Sequence, residues 1–315
     1  MKKDFLTLKD YSADEIEYIL NLSLEIKKDK DSYCNILKGK NIAILFDKHS
    51  TRTRLSFEVG INQLGGNVIV LDAKSLQLGR GESYIDTAKV FSLYLDGVII
   101  RTFSQETLEI FAKYGSIPVI NGLTDTYHPC QVLADMLTLK ELGMLNKKIK
   151  FTYIGDSNNV TNSLIIGFSK LGIDITIGCP EKYSPAKEIL EYAESQKNGS
   201  KVNIINNPVD AVRDADVIYT DVWFSMGQEM DDKKLEELEK YQINSDLLKY
   251  AKKEVKIMHC LPAHTGQEIT SEVLYGENSI VLKQAENRLH AQKGLLVYIY
   301  GKLYRENKTK FCVTY

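Results

Sequence analysis

The sequence has few of the features that mark disulfide-rich, membrane-spanning or nucleic-acid-binding proteins. Its five cysteines are odd in number and stand singly, which argues against a disulfide framework and favours a reducing compartment. The longest apolar runs, such as 68–71 and 97–100, are far too short to span a bilayer. Forty Lys and Arg residues stand against 42 Asp and Glu, a net charge of −2, which predicts binding neither to nucleic acid nor to a membrane surface.

Two further absences bear on organisation and location. Residues 1–10 carry charges where a secretory signal peptide needs its apolar segment, so we expect a cytoplasmic protein. Only six prolines occur in 315 residues, which argues against a long linker. At roughly 150 residues per domain, the length indicates about two domains.

Short apolar runs alternate with longer amphipathic segments, which is the pattern of strands and helices in a parallel sheet. The predicted strands are 42–46, 68–71, 98–100 and 118–120, then 151–154, 173–177, 202–205, 217–220 and 255–258. The predicted helices are 54–64, 84–95, 107–114, 131–142, 162–171, 185–195, 233–241, 245–251 and 285–303. We therefore predict an α/β fold with two tandem doubly wound parallel-sheet domains joined by interdomain helices.

The domain boundary is predicted just after Gly143, where the helical pattern of 131–142 ends and a polar segment follows. This gives a first domain over residues 1–143 and a second over 144–284. The pattern of the last helix does not by itself indicate where that helix packs.

Ligands of open parallel sheets bind beyond the carboxyl ends of the strands, and the first such segment is rich in donors. Ser50, Thr51, Arg52 and Thr53 follow a strand and lead into a helix that Ser50 can cap. Backbone N–H groups, hydroxyls and a guanidinium together favour a phosphate site. The alternative interpretation is an ordinary helix cap followed by solvated arginines.

Polar residues also follow the third and fourth strands. Arg101 ends one strand, His128 stands at the mouth of the next helix before Pro129, and Gln131 lies one turn inside. With Thr53, they would converge at one sheet edge and polarise a carbonyl oxygen that gains negative charge. Taken singly, the arginine could be solvated and the histidine could be a cap or a structural residue.

The second series of strands has its own polar edge. Residues 155–159 open a helix but lack the G-x-G-x-x-G spacing of a dinucleotide-binding turn. Asp221 can hold an ammonium group or be a solvated carboxylate, and residues 223–227 are either packing or a loop that closes on a ligand. His259 and Cys260 have no second pair at ligand spacing, so we expect no metal site, and a buried inert cysteine is the common alternative.

Four motifs taken together resemble the ornithine carbamoyltransferases of the transcarbamoylase family. They are Ser50-Thr51-Arg52-Thr53-Arg54, His128-Pro129-Cys130-Gln131, Asp221-Val222-Trp223-Phe224-Ser225-Met226-Gly227 and His259-Cys260-Leu261-Pro262. The first two are shared among transcarbamoylases and the last two point to ornithine. The resemblance runs from residue 40 to residue 296, and it implies transfer of the carbamoyl group of carbamoyl phosphate to the δ-amine of L-ornithine, giving L-citrulline and phosphate.

The resemblance also implies an organisation and a set of site residues. The first domain would bind carbamoyl phosphate, with the helix 285–315 packing back onto it, and the second would bind ornithine. Active sites would lie between the domains at the subunit interfaces of a homotrimer, with no cofactor. The implied carbamoyl phosphate-binding residues are Ser50, Thr51, Arg52, Thr53, Gln77, Arg101, His128, Gln131, Cys260, Leu261 and Arg288. The implied ornithine-binding residues are Asn159, Asp221, Ser225 and Met226, and the implied catalytic residues are Arg101, His128, Asp221 and Cys260.

Several alternatives stay open at this stage. Gln77 matches a position that reaches into the site of the neighbouring subunit. Aspartate transcarbamoylases carry a lysine near this position, so Gln77 argues against that family. Putrescine and aspartate nevertheless remain the rival acceptors. A nucleotide-binding oxidoreductase, suggested by residues 155–159, and a non-catalytic homologue are the rivals from other classes. Either Cys260 or the phosphate could take the proton of the amine. The short chain and the 285–294 ending favour arginine biosynthesis over arginine breakdown.

Overall fold

The computed structural model describes residues 2–48, 50–145, 148–224 and 229–311, with the backbone alone for 79–80 and 302–311. Contacts divide the chain into two compact units, one of Met1–Leu137 with Asn287–Tyr315 and the other of Thr138–Glu286. Within the described ranges, none of the helices combines the length and the apolar character needed to cross a membrane.

Each unit is built on one parallel sheet. The strands of the first are β1 (Asn41–Phe46), β2 (Asn67–Asp72), β3 (Gly97–Arg101) and β4 (Val119–Leu123), in the order β2-β1-β3-β4. Those of the second are β5 (Phe151–Ile154), β6 (Ile175–Gly178), β7 (Val202–Ile205), β8 (Val217–Thr220) and β9 (Lys256–His259), in the order β7-β6-β5-β8-β9. The inner strands read as continuous apolar runs because helices cover both faces of such a sheet.

Helices alternate with the strands along the chain. They are α1 (Ala13–Lys28), α2 (Thr51–Gln63), α3 (Tyr84–Tyr94), α4 (Gln105–Tyr114), α5 (Pro129–Glu141), α6 (Asn159–Lys170), α7 (Lys187–Ser195), α8 (Pro208–Val212), α9 (Asp232–Leu238), α10 (Ser245–Leu248), α11 (Ser271–Leu274) and α12 (Val281–Phe311). Short 3-10 helices cover Leu8–Asp10, Asp31–Tyr33, Ala73–Ser75, Gln77–Arg80, Glu181–Tyr183 and Glu239–Tyr241. The chain passes from one unit to the other within α5 and again within α12.

The predicted fold class is confirmed, and every predicted strand is present within three residues of its predicted bounds. Helices α2 and α6 begin three residues earlier than predicted because side-chain caps start them ahead of their apolar pattern. Ser50 Oγ accepts the Thr53 N–H in α2, and Asn158 Oδ1 accepts two N–H groups in α6. Helices α1, α8 and α11 were not predicted.

Helix α1 was missed although its sequence carries two signals. Ser12 and Glu15 form a reciprocal capping box at its start, and its buried residues recur at helical spacing. The helix packs closely on α12, where a Cβ on Gly294 would lie 2.0 Å from Ser23 Oγ. A side chain at position 294 would therefore separate the two helices.

The order of strands reverses at one point in each sheet. In the first sheet the reversal lies between β1 and β3, and in the second it lies between β5 and β8. Ligands of open α/β sheets bind beyond the strand ends at this switch point. Arg101 is the last residue of β3, and the segments that follow the other three strands contain Ser50, Asn158 and Asp221.

Candidate active site

Five buried polar side chains lie together in the first unit and are here called the anion cluster. Hydrogen bonds link four of them, and the charges of Arg288 and Arg101 act on the fifth, His128. Its members are Thr53 in the first turn of α2, Arg101 at the end of β3, His128 directly before α5, Gln131 in the first turn of α5 and Arg288 on α12. None of the five is more than 5% exposed. All five were predicted as site residues, and the fold brings them together from helices α2, α5 and α12, the residue before α5, and strand β3.

Two guanidinium groups converge on one hydroxyl in this cluster. Arg101 Nη1 donates to Thr53 Oγ1 at 3.2 Å, and Arg288 Nη2 donates to the same oxygen at 3.4 Å. Arg288 Nη1 also donates to Gln131 Oε1 at 2.7 Å. Two enclosed guanidinium groups that share one hydroxyl are chemically suited to bind an anion.

The amino terminus of α2 adds to the positive character. Ser50 Oγ accepts the Thr53 N–H at 3.1 Å, and no acidic residue stands in the first turn to offset the helix dipole. Arg52 is half-buried and Thr51 is exposed in the same turn. A helix start of this kind presents backbone N–H groups to a phosphate.

A β-bulge lies beside Arg101. In the pairing of β3 with β4, Ile100 faces Asn121 but Arg101 faces Leu123, so Gly122 is the extra residue. Bulges of this kind bend a strand and redirect a side chain, and they are frequent beside active sites. This irregularity places Arg101 in the cluster and was not predicted from the sequence.

His128 is uncharged at neutral pH. Burial is the largest cause that lowers the pKa of its imidazole well below the usual value, and the charges of Arg288, Arg101 and Arg52 lower it further. The ring can therefore offer one N–H to an oxygen without adding a third buried positive charge.

Asp135 belongs to the same network and was not predicted. Gln131 Nε2 donates to Asp135 Oδ1 at 2.8 Å, and the Asp135 side chain is fully buried. The carboxylate orients the Gln131 amide, so that its oxygen faces Arg288. The signal in the sequence was the spacing, because residues four apart on a helix share a face.

The second unit has its own polar group at the switch point, here called the Asp221 cluster, which consists of Asp221, Asn158 and Cys260. Asn158 Nδ2 donates to Asp221 Oδ2 and the Cys260 thiol donates to Oδ1, both at 2.8 Å. The Val222 N–H also donates to Oδ1 at 2.8 Å. Asp221 is 6% exposed and is therefore an enclosed carboxylate rather than a solvated one.

Asn158 is a second residue that the sequence did not assign to the site. It caps α6, whereas the predicted Asn159 is the first residue of that helix and is half-buried. Nearby, burial raises the pKa of the Asp156 carboxyl against the opposing effect of Lys234, whose Nζ lies 2.7 Å from it. The Asp156–Lys234 pair thus adds an ion pair to the loop that contains Asn158.

A possible metal-binding group lies in the same place. Side-chain atoms of Asp221, His259 and Cys260 all lie within 4.8 Å of one another. Both nitrogens of His259 are already hydrogen-bonded, Nδ1 to the Leu261 N–H at 2.9 Å and Nε2 to Glu268 Oε1 at 3.1 Å. In this conformation the group presents a thiol and a carboxylate, without an available imidazole nitrogen.

The remaining predicted residues are less closely connected. Gln77 begins a short 3-10 helix, is exposed, and among the described residues makes no side-chain hydrogen bond to the anion cluster. Leu261 is half-buried, has a φ of 56° and precedes a cis proline. Ser225 and Met226 lie outside the described residues.

Comparison with known proteins identifies the family. The model described as "Aspartate/ornithine carbamoyltransferase, carbamoyl-P binding domain" matches residues 3–141, and the model of the Asp/Orn binding domain matches residues 147–299. Ornithine carbamoyltransferase of Oceanobacillus iheyensis is 53% identical over 299 residues, 93% of each chain. The chain belongs to the ornithine carbamoyltransferase family. The resemblance indicated by its four motifs is thus confirmed.

Solved structures of ornithine carbamoyltransferases have the same fold. The enzyme from Pyrococcus furiosus is 46% identical with a TM-score of 0.91, over 95% of this chain and 97% of that one. The anabolic ornithine carbamoyltransferase from Campylobacter jejuni is 39% identical with a TM-score of 0.90, over 95% of this chain and 99% of that one. Both units of this carbamoyltransferase therefore have counterparts in proteins of known structure.

Proposed function

We propose that this chain transfers the carbamoyl group of carbamoyl phosphate to the δ-amine of L-ornithine, giving L-citrulline and phosphate. The convergence of Arg101 and Arg288 on Thr53, buried at a switch point beside the start of α2, carries this proposal. A ligand with a phosphate and an adjacent carbonyl oxygen would offer a counter-charge and acceptors to these donors. The identity of the curated relatives supports ornithine as the acceptor.

The donors of the first unit suit acyl transfer without a cofactor. The neutral amine attacks the carbamoyl carbon, a tetrahedral oxyanion forms, and the bond from carbon to the phosphate oxygen then breaks. Thr53, Arg101 and His128 would stabilise the oxyanion, and one such donor is worth about 3–4 kcal/mol. Arg52 and the N–H groups of α2 would neutralise the leaving phosphate.

In this proposal the Asp221 cluster receives ornithine. Asp221 would hold the α-ammonium group together with Asn159, while the segment containing Ser225 and Met226 would enclose the ligand. The Cys260 thiol donates to Asp221, and the family resemblance supports a position of this thiol near the reacting amine. An amine with a lysine-like pKa of about 10 is almost fully protonated at neutral pH, so the site must select or create the free base.

A homotrimer with shared sites is the proposed assembly. Strand β2 lies at the edge of the first sheet. The first unit also exposes a set of large apolar side chains: Leu55, Val59, Ile69, Val90, Leu93 and Tyr94. Exposed apolar surface of this kind commonly marks a contact between proteins. Gln77, which is exposed, would reach the carbamoyl phosphate of a neighbouring copy. Leu261 and Arg288 are two further residues that we propose as carbamoyl phosphate contacts.

We also propose that the enzyme acts in the cytoplasm and in arginine biosynthesis. The scattered cysteines and their odd number support a reducing compartment. The Campylobacter jejuni relative is an anabolic ornithine carbamoyltransferase, which supports the biosynthetic direction. Comparing the citrulline-forming rate with the phosphate-dependent reverse rate at equal enzyme concentration would test this direction.

The first experiment is citrulline formation from carbamoyl phosphate and L-ornithine, with putrescine and L-aspartate tested in parallel. We expect a strong preference for ornithine. A preference for either other amine would leave the phosphate half of the proposal standing and refute the acceptor half. No turnover with any of them would refute the proposed function.

Two variants with matched controls assign the roles. Arg52→Ala should abolish carbamoyl phosphate binding, while Arg54→Ala should not, because Arg54 is exposed and pairs with Glu58. Asp221→Asn should raise the KM for ornithine far more than the KM for carbamoyl phosphate. Asp246→Asn, which alters an exposed carboxylate of the same unit, serves as its control.

A further inference from the structure

The turn that follows β9 is held in an unusual conformation. Leu261 has a φ of 56°, in the left-handed region that bulky side chains rarely adopt. The preceding residue, Cys260, donates its thiol to Asp221. A backbone of this kind persists only where surrounding contacts determine it, and such positions are frequent at active sites.

Contacts with His259 hold this turn. The His259 ring is 1% exposed, and its Nδ1 accepts the Leu261 N–H at 2.9 Å. The same residue is also held through its backbone, since the His259 N–H donates to Gln284 Oε1 at 2.9 Å. Because Nδ1 accepts a hydrogen bond, it has no proton, and the ring proton is therefore on Nε2.

Glu268 accounts for this choice of tautomer. His259 Nε2 donates to Glu268 Oε1 at 3.1 Å, and the carboxylate is fully buried. The His264 N–H donates to the same oxygen at 2.6 Å, and the carbonyl of Glu268 accepts the Ile243 N–H at 2.9 Å. Both the side chain and the backbone of Glu268 are thereby fixed, and so is the orientation of the ring.

We propose that His259 and Glu268 are positioning residues for Cys260 and Leu261 in the carbamoyl transfer reaction. Glu268 selects the Nε2–H tautomer, Nδ1 of His259 then holds the Leu261 N–H, and the turn so formed holds the Cys260 thiol against Asp221. This role rests on the proposed function, in which Cys260 and Leu261 lie at the reacting group. Neither His259 nor Glu268 would touch a substrate.

Two substitutions at His259 separate the two halves of the ring. His259→Asn keeps an acceptor at the position of Nδ1 but loses the donor to Glu268. His259→Gln keeps a donor that reaches Glu268 but loses the acceptor for the Leu261 N–H. We expect kcat to fall by roughly 100-fold in His259→Gln, the size of effect that a misplaced reacting group produces, and by less than tenfold in His259→Asn.

A structural role would give a different ordering. His259→Asn leaves the buried Glu268 carboxylate without its imidazole donor, so it should have the lower melting temperature of the two although it is the more active. If activity follows melting temperature across both variants, or if His259→Gln keeps kcat within twofold of wild type, the proposal is wrong.

Glu268→Gln retains a carbonyl acceptor for both N–H groups, so it should stay within tenfold of wild-type kcat. A larger loss without a lower melting temperature would refute the tautomer argument.

A readout without substrates distinguishes failure of this proposal from failure of the proposed function. Cys260 is half-buried, and its alkylation by iodoacetamide is measured by mass spectrometry of the tryptic peptide, with Cys260→Ala as the blank. We expect the rate to change at least tenfold in His259→Gln and less in His259→Asn. This result would support the positioning role even if the wild type made no citrulline, and equal rates in wild type and both variants would refute it.

Discussion

Replacing Thr53 with valine would test whether the convergence of arginines on one hydroxyl contributes to stability. Valine has nearly the same shape but no acceptor, so Arg101 and Arg288 each lose one hydrogen bond. Thr53 is 1% exposed and the two arginines are 4% and 3% exposed, so water cannot readily take the place of the hydroxyl. A hydrogen bond to a charged group contributes about 1.5–3 kcal/mol, and the 3.4 Å contact counts for less. We therefore expect a loss of about 2–4 kcal/mol.

Hydrogen exchange followed by mass spectrometry measures this loss in the unit where it occurs. Because about 1.4 kcal/mol corresponds to a tenfold change, amides of α2 that exchange through unfolding of the first unit should exchange roughly 30-fold to 1,000-fold faster. Peptides from β5 and β6, which belong to the second unit, provide an internal reference within the same sample. Thr53→Ser keeps the hydroxyl and should stay within about tenfold of wild type.

The reasoning would be refuted if Thr53→Val and Thr53→Ser exchanged at the same rate. Equal rates would mean that the hydroxyl contributes nothing measurable, so the arginines must be held by other contacts. Inorganic phosphate provides a second check. If the cluster is an anion site, phosphate should slow exchange of α2 in wild type, because a ligand that binds only the folded state stabilises it.

Three further predictions concern single contacts. Burial and three arginines depress the pKa of His128, so below about pH 6.5 the unfolded state binds a proton that the folded state does not. The free energy of unfolding should therefore decrease by about 1.4 kcal/mol for each unit by which the pH is lowered below that value. His128→Gln should flatten this slope in urea titrations at pH 5–7. Asp135→Ala should raise the KM for carbamoyl phosphate about tenfold to 100-fold, because it releases the Gln131 amide. Asp135→Asn keeps an acceptor and should have a smaller effect. Equal effects of the two substitutions would refute the orienting role. Gly294→Ala should destabilise the protein by about 1–3 kcal/mol in thermal unfolding, and Ser23→Ala should recover part of that loss, because the new Cβ would lie 2.0 Å from Ser23 Oγ.

Much of the fold follows from local patterns in the sequence. The strands were predicted because a parallel sheet buries both faces, and runs such as β3 (Gly97–Arg101) then read as uninterrupted apolar segments. The cap at Ser50 was predicted and is confirmed, but α2 and α6 were predicted to start three residues too late, because their starts were taken from the apolar periodicity and not from the caps at Ser50 and Asn158. Helix α1 was missed although its capping box was visible, which shows that both signals have to be read together.

The site was predicted from strand ends, and its supporting residues were not. Thr53, Arg101, His128 and Gln131 each follow a strand, so the rule for parallel sheets placed them at one edge before any contact was known. Asp135 and Glu268 act through other side chains, and their roles depend on contacts that no local spacing specifies. Arg288 was predicted from its family motif alone, since it lies on α12, 157 positions from the glutamine that it contacts.

The balance of charge in the anion cluster supports a site built for a ligand over one built for stability. Two guanidinium groups, the start of α2 and the nearby Arg52 contribute positive charge, whereas Asp135 is the carboxylate connected to them through Gln131. A cluster that served only the fold would be more stable with apolar side chains of the same volume, because desolvation of buried charges commonly exceeds their mutual attraction. The depressed pKa of His128 removes one further charge at neutral pH and leaves a donor in its place. The guanidinium groups suit the proposed phosphate, and the neutral donor suits the proposed oxyanion.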